Sequence, residues 1–144
     1  MELLIVMAIM GMLMAMSIPS VTGYATQFRL KAAVRETVGL CSLARSSAIG
    51  SRAARTITID TDGRTLTLEP ASDREEPRRV KLGKGVEVAV ESSGGTMQQS
   101  EGSASVVFQP SGSLGGRSVS ILLSNGRKDQ RVRITGATGA ISVE

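Results

Sequence analysis

The first twenty residues, MELLIVMAIMGMLMAMSIPS (residues 1–20), decide the architecture into which the rest of the chain must fit. No charged residue occurs between positions 3 and 28, whereas Glu2 stands at the front of this apolar run. As a helix the run would be about 39 Å long, which exceeds the roughly 30 Å of a bilayer's hydrocarbon core. The sequence therefore predicts a transmembrane and assembly helix over residues 1–27.

Two features of this run predict how the helix bends and packs. Pro19 has no backbone N–H for the Ala15 carbonyl, so a kink or a locally melted turn is expected over residues 15–19. Ala8, Gly11 and Ala15 form a small-residue face suited to close helix contact, although membrane helices also tolerate such residues without one. A cleavable signal peptide is the alternative, but the run lacks a basic n-region and is too long.

Helical periodicity continues beyond Tyr24 without a break. Over residues 28–55, apolar and small side chains recur three or four positions apart, with arginines on the opposite face. This pattern predicts an amphipathic helix that continues the first one as a single rod. Cys41 lies within the stripe, where a small core thiol is expected. The predicted stripe consists of Leu30, Ala33, Val34, Thr37, Val38, Cys41, Ala44 and Ala48.

After residue 55 the periodicity changes to two, which is typical of strands. TDGR between the first two strands predicts a hairpin, and the polar segment ESSGGTMQQSEG over residues 91–102 predicts a flexible loop. The expected fold is α+β, with a long N-terminal helix packed against an antiparallel β-domain over residues 56–144. The predicted strands are TITID, TLTLE, RRVKL, VEVAV, SVVFQP, SVSILLS, RVRIT and AISV.

Composition argues against several kinds of site. The formal net charge is +4, the chain has no histidine, and Cys41 is its only cysteine, so it can form no internal disulfide. A Ser-His-Asp triad cannot be built, and neither EF-hand acid spacing nor a Gly-Lys-Ser/Thr phosphate loop occurs. Serine and lysine pairs stay chemically open, but no local motif singles one out. We expect no enzymatic activity, no cofactor and no metal.

One basic segment, GRKDQRVR, favours contact with a nucleic acid. It brings Arg127, Lys128, Arg131 and Arg133 into one predicted hairpin, and the last two share a strand face that could meet phosphates. Aromatic residues, however, make up 2% of the chain, which leaves little surface for base stacking. We therefore expect a solvated basic face, with nucleic acid an unlikely partner.

The N-terminal motif resembles the N-termini of type IV pilins and of type II secretion pseudopilins. In that class a glutamate precedes the apolar run and a proline follows seventeen residues later, as Glu2 and Pro19 do here. LCSLARSSAIGSRAARTITID, FQPSGSLGG and the strands after it are similar to the GspH/FimT branch of minor pseudopilins. The Phe-Thr-Leu and the basic leader of that class are missing, so we expect the coding frame to continue upstream of Met1.

The resemblance implies a structural protein. It implies that Glu2 pairs with the N-terminal amine of a neighbouring subunit, and that Gly11 and Pro19 belong to the inter-subunit helix surface; otherwise Glu2 would merely oppose its own helix dipole. It further implies cleavage by a prepilin peptidase, methylation of the new amine, and a single-pass inner-membrane position with a periplasmic β-domain. The expected function is assembly into a type II secretion pseudopilus for protein export. The alternative is a FimT-like minor type IV pilin in pilus assembly or DNA uptake.

Overall fold

One long helix and two four-stranded antiparallel sheets form the protein, as seen in a computed structural model that describes residues 2–70, 75–93 and 102–144, without the side chains of residues 15–23. This arrangement confirms the α+β class expected from the sequence, with eight strands in the part of the chain described. The elements are α1 (Glu2–Ser51), β1 (Arg55–Asp60), β2 (Thr65–Leu68), β3 (Arg78–Lys81), β4 (Glu87–Ser93), β5 (Ser103–Phe108), β6 (Ser118–Ser124), β7 (Asp129–Ile134) and β8 (Ile141–Val143).

Helix α1 is a single element of 50 residues, about 75 Å long at 1.5 Å per residue. The backbone is helical through Pro19, so the melted turn expected there does not occur; the side chain of Pro19 lies outside the described residues. Among the described residues, no helix combines the length and the apolarity that crossing a bilayer requires. The transmembrane assignment of residues 1–27 stays a prediction.

The C-terminal end of α1 lies earlier than the sequence predicted. The helix ends at Ser51, and Arg52 adopts a left-handed conformation with φ +52°, which stops the helical hydrogen-bond pattern. Arg55, predicted to lie in the amphipathic helix, is instead the first residue of β1 and is buried. The helical pattern extended too far because Ala53 and Ala54 are good helix formers that carry no stop signal of their own.

The first sheet has the strand order β3-β2-β1-β5. Its β1–β2 hairpin, with Asp60 opposite Thr65, confirms the turn expected at TDGR. Asp60 Oδ1 accepts a hydrogen bond of 2.6 Å from the Gly63 amide, and the left-handed residue of this turn is Arg64. The local sequence therefore fixes both the position of the hairpin and its register.

The second sheet has the order β4-β6-β7-β8. Strands β3 and β4 are joined by GKG (residues 83–85) but lie in different sheets, so this connection carries the chain from one sheet to the other. Of the predicted loop over residues 91–102, positions 91–93 belong to β4, and 94–101 lie outside the described residues.

The core lies between the second half of α1 and the inner faces of both sheets. Alternate strand residues point inward, as in β6, where Val119, Ile121 and Leu123 are buried. The predicted helical stripe is buried along its length except for Val38, which is half-buried. Leu40, absent from that stripe, is buried as well. Other core side chains are Ile57, Ile59, Leu66, Leu68, Leu82, Val86, Val88, Val90, Ala104, Val106, Phe108, Val132 and Ile134.

Candidate assembly helix and basic surface

The first turns of α1 form an apolar surface that the β-domain does not cover. We call residues 2–14 the stem. Ten large apolar side chains of the stem are between 54% and 75% exposed. Contiguous apolar surface of this kind marks contact with lipid or with another protein. The ten are Leu3, Leu4, Ile5, Val6, Met7, Ile9, Met10, Met12, Leu13 and Met14.

Two predicted site residues lie on the stem. Glu2 is exposed in the first turn of α1, where a carboxylate opposes the positive end of the helix dipole. Gly11 has open space around it among the described residues, since beyond its own helix backbone and its two chain neighbours no atom lies within 4 Å of where a Cβ would be. Glycine lowers helix stability by about 1 kcal/mol relative to alanine, and no contact with the part of the chain that the structure describes explains that loss at position 11. Gly39 in the same helix has equally open space.

Cys41 occupies the core position that the sequence predicted. The residue is completely buried in the stripe of α1, and burial raises the pKa of its thiol to about 12. The thiol therefore stays protonated near neutral pH, where a reactive cysteine would need a thiolate. In the part of the chain that the structure describes, no group of three His, Cys, Asp or Glu side chains is arranged to hold a metal ion.

The β6–β7 turn presents the basic hairpin that the sequence predicted. Asn125 Oδ1 accepts hydrogen bonds from the amides of Arg127 and Lys128 at 3.0 and 2.8 Å, and Gly126 takes a left-handed conformation with φ +76°. The Asn125 amide group donates to the Thr26 carbonyl of α1 at 3.4 Å. The turn is therefore locally ordered and attached to the helix.

The four predicted basic residues fall into two pairs with different surroundings. Arg131 lies 3.6 Å from the Glu91 carboxylate, and Arg133 lies 3.4 Å from that of Glu144. Within the described residues, Arg127 and Lys128 form no ion pair. Arg131 and Arg133 do share an outer strand face, as predicted, but each forms an ion pair: Glu91 lies in β4, two strands away from β7, and Glu144 follows β8.

Two further arginines have surroundings that the sequence did not reveal. Arg29 of α1 and Arg127 of the turn line one hollow of about 380 Å³, together with Ala25, Thr26 and Asn125. Arg45, predicted on the solvent face of the helix, donates hydrogen bonds to loop carbonyls. No sequence signal could have paired them with these loops, because the partners lie far along the chain and are brought together only by the sheets.

Comparison with known protein families decides the identity of the fold. A family model described as "Type II transport protein GspH" matches residues 33–139, about three quarters of the chain. The chain belongs to the GspH family. The match covers the second half of α1 and the strands β1 to β7, and this family consists of structural components rather than enzymes. Among curated proteins, no relative matches.

Solved structures similar to this GspH-family chain include a type IV minor pilin and a minor pseudopilin. The type IV minor pilin FimU of Pseudomonas aeruginosa superposes with a TM-score of 0.62 at 19% identity, covering 80% of this chain and 87% of FimU. The minor pseudopilin EpsH from the Type 2 Secretion System of Vibrio cholerae gives a TM-score of 0.59 at 17% identity, covering 81% of this chain and 96% of EpsH. At these identities the likeness establishes a shared fold.

Proposed function

We propose that this chain is a minor pseudopilin that assembles into the periplasmic pseudopilus of a type II secretion system and so supports protein export. Residues 1–27 would hold it in the inner membrane, residues 28–55 would continue the rod, and residues 56–144 would lie in the periplasm. The stem is the observation that carries the proposal, because its exposed apolar surface needs lipid before assembly and other helices afterwards. Membership of the GspH family supports the same role.

Glu2 is proposed to recognise the N-terminal amine of a neighbouring subunit. Placing an unpaired carboxylate near the end of a membrane helix costs free energy. An ammonium group on a neighbouring subunit would offset this cost and so favour entry of this subunit into the filament. Gly11 is proposed to allow close approach of a neighbouring helix, since no described side chain of its own chain fills the open space beside it. Pro19 is proposed to belong to the same inter-subunit surface.

Crosslinking between subunits tests the role of Glu2. Glu2→Gln keeps the size of the side chain but cannot neutralise an ammonium, and Glu2→Ala removes both. We expect both variants to enter the membrane and melt like the original protein, while their crosslinks to other pseudopilins through the N-terminal helices fall at least about tenfold, as loss of a desolvated charge partner implies. Glu36→Gln, an exposed acid of the same helix, is the matched control.

Gly11→Leu tests the helix contact with the same readout. We expect it to lower crosslinking without changing the melting temperature, whereas Gly39→Leu places an identical side chain on the exposed domain half of α1 and should assemble normally. The assembly role of the stem would be contradicted if all three variants crosslinked to other pseudopilins as efficiently as the original protein. The three are Glu2→Gln, Glu2→Ala and Gly11→Leu. Mass measurement of the native N-terminus would test processing by a prepilin peptidase and methylation of the new amine.

A minor type IV pilin is the second candidate function, favoured by the similarity to FimU. Deletion of the gene separates the two, because loss of exported proteins from the medium supports the secretion role, whereas loss of surface pili or of DNA uptake supports the pilus role. Direct DNA contact through Arg131 and Arg133 is disfavoured by their ion pairs with Glu91 and Glu144. Tight, salt-sensitive duplex binding that Arg131→Ala abolishes would reverse this ranking.

A further inference from the structure

The end of the β-domain that faces the stem carries four basic side chains. Arg29 and Arg127 line one hollow, and the Arg29 side chain also lies 3.7–3.9 Å from the position that a Cβ on Gly83 would occupy. That contact places the connection containing Lys84 beside Arg29, while Lys128 follows Arg127 in the turn. We call Arg29, Lys84, Arg127 and Lys128 the basic rim.

The charge of the basic rim is largely unneutralised. All four side chains are exposed, and none of them forms an ion pair with any residue that the structure describes. Two acids, Glu87 and Asp129, lie at this end of the second sheet, both opposite Ser124. They leave an excess of positive charge here, in contrast to the balanced pairs formed by Arg131 and Arg133 further along β7.

The helix beside the basic rim carries two exposed aromatic rings. Tyr24 and Phe28 are 66% and 68% exposed, and they lie four residues apart, on the same side of α1. The chain has only one tyrosine, two phenylalanines and no tryptophan, so two of its three aromatic residues lie at this junction. Exposed aromatic rings next to basic side chains, at the end of an apolar helix, are typical of a membrane–water interface.

We propose that the basic rim binds the anionic headgroups of the bilayer that holds the stem, so that the unassembled subunit rests its β-domain on the lipid surface. This inference rests on the proposed membrane anchoring. Guanidinium groups match phosphate oxygens with two parallel hydrogen bonds, and the Asn125–Thr26 hydrogen bond holds the Arg127 turn beside the helix. A lipid surface fits better than DNA because the rim begins where the proposed membrane segment, residues 1–27, ends, whereas the strand arginines suited to a duplex are already paired.

Hydrogen exchange of the full chain in vesicles tests this proposal. The protein is reconstituted into phosphatidylcholine vesicles with and without 30% phosphatidylglycerol, and exchange is followed for residues 82–86 and 125–128. One basic residue near an anionic surface gains about fivefold in binding, so exchange of these amides should slow by at least about fivefold when phosphatidylglycerol is present. Raising the salt to about 0.5 M should remove the difference, because it shortens the Debye length.

Two double variants of the rim and one control double variant supply the specificity test. We expect each rim double variant to abolish the slowing of exchange by phosphatidylglycerol. The first combines Arg29→Gln with Arg127→Gln, and the second combines Lys84→Gln with Lys128→Gln. Arg131→Gln with Arg133→Gln removes the same charge from the ion-paired part of the hairpin and should keep the effect. Equal exchange in both vesicle types, or loss of the effect in the Arg131 and Arg133 pair, would overturn the proposal.

The remaining outcomes separate this proposal from the proposed function. A chain that fails to float with phosphatidylcholine vesicles would overturn membrane anchoring, and this inference with it. A chain that floats with both vesicle types but shows no phosphatidylglycerol effect would overturn the inference alone. Protection of residues 125–128 by a 20-base-pair DNA duplex and not by phosphatidylglycerol would assign the rim to nucleic acid instead.

Discussion

Arg45 Nη2 donates a hydrogen bond of 3.0 Å to the carbonyl oxygen of Thr138, 93 residues further along the chain. Arg45 Nε also lies 3.3 Å from the carbonyl oxygen of Gly112. The Arg45 side chain thus bridges the β5–β6 loop and the β7–β8 loop by hydrogen bonds. Both loops lie at the end of the domain opposite the basic rim. Because carbonyls in such connections lack strand partners, a charged donor from the helix satisfies them.

Replacement of Arg45 by methionine should destabilise the domain. Arg45→Met keeps much of the side chain's apolar volume but removes both hydrogen bonds, so we expect the free energy of unfolding to fall by about 1–2 kcal/mol. Chemical denaturation measures the change. Arg35→Met, at an exposed position of the same helix, is the control and should alter stability by less than about 0.5 kcal/mol. Equal effects of both substitutions would contradict the bridging role of Arg45.

Gly139 should not tolerate a side chain. Its φ of +65° favours glycine, and a Cβ there would overlap the carbonyl of Gly112. Gly126 has a similar φ of +76° but open space around it. We expect Gly126→Ala to cost about 1–2 kcal/mol from backbone strain alone, and Gly139→Ala to cost at least about 3 kcal/mol because the loop must also move. Similar costs for the two variants would mean that the packing of Gly112 against Gly139 is unimportant.

The buried thiol of Cys41 should make stability fall in alkaline solution. The pKa of this thiol rises from 9.0 to about 12 on folding, so between these values the unfolded chain has lost a proton that the folded chain keeps. The unfolded state is therefore favoured as the pH rises, by up to about 1.4 kcal/mol per pH unit over that window, and the effect fades over about one pH unit below pH 9.

The contribution of Cys41 is isolated by comparing the original chain with Cys41→Ala. Other groups titrate in the same range, but they do so in both proteins, so the difference in slope of unfolding free energy against pH reports the thiol. We expect the slope between pH 9 and pH 10.5 to be shallower in Cys41→Ala. Identical slopes, or rapid labelling of the native thiol by maleimide at pH 7, would show that Cys41 is not shielded.

Removal of the N-terminal residues should leave a folded domain. The buried stripe of α1 begins at Leu30, so deletion of residues 1–23 should give a soluble monomer that melts cooperatively. Deletion of residues 1–27 should cost up to about 1 kcal/mol more, because it also removes the Thr26 carbonyl that the Asn125 side chain contacts. Sedimentation and thermal melting measure both properties. Aggregation of both truncated proteins would contradict a core built from the second half of α1.

Local patterns predicted most of the secondary structure in this chain. Alternation along SVSILLS identified β6 because every second side chain is buried, and helical spacing identified the stripe around Cys41 for the corresponding reason. The distribution of strands between two sheets was not predictable in this way. β3 and β4 are joined by only a short connection yet lie in different sheets, a choice made by long-range pairing that leaves no local signal.

The candidate sites likewise include features that local sequence predicts and features that depend on long-range contacts. The apolar stem could be predicted because it is one continuous run of sequence, and the role of Glu2 at its start stays a prediction. The neutralisation of Arg131 and the loop contacts of Arg45 depend on residues placed beside them by the fold, so charge alone predicted solvated side chains at both positions. Arg55 is a similar case, since its buried guanidinium meets Glu75 at 3.2 Å only because β1 begins there.

The unbroken course of α1 has a mechanical consequence. A force applied to the stem along the helix axis reaches the core through the same backbone that carries Leu30 and Ala48, with no break in the helix between them. Such a load acts in shear, so all the contacts along that buried length of about 27 Å must yield together rather than one after another. Pulling on the N-terminal end should therefore extend the protein at much higher force than peeling β8 from the free edge of the second sheet.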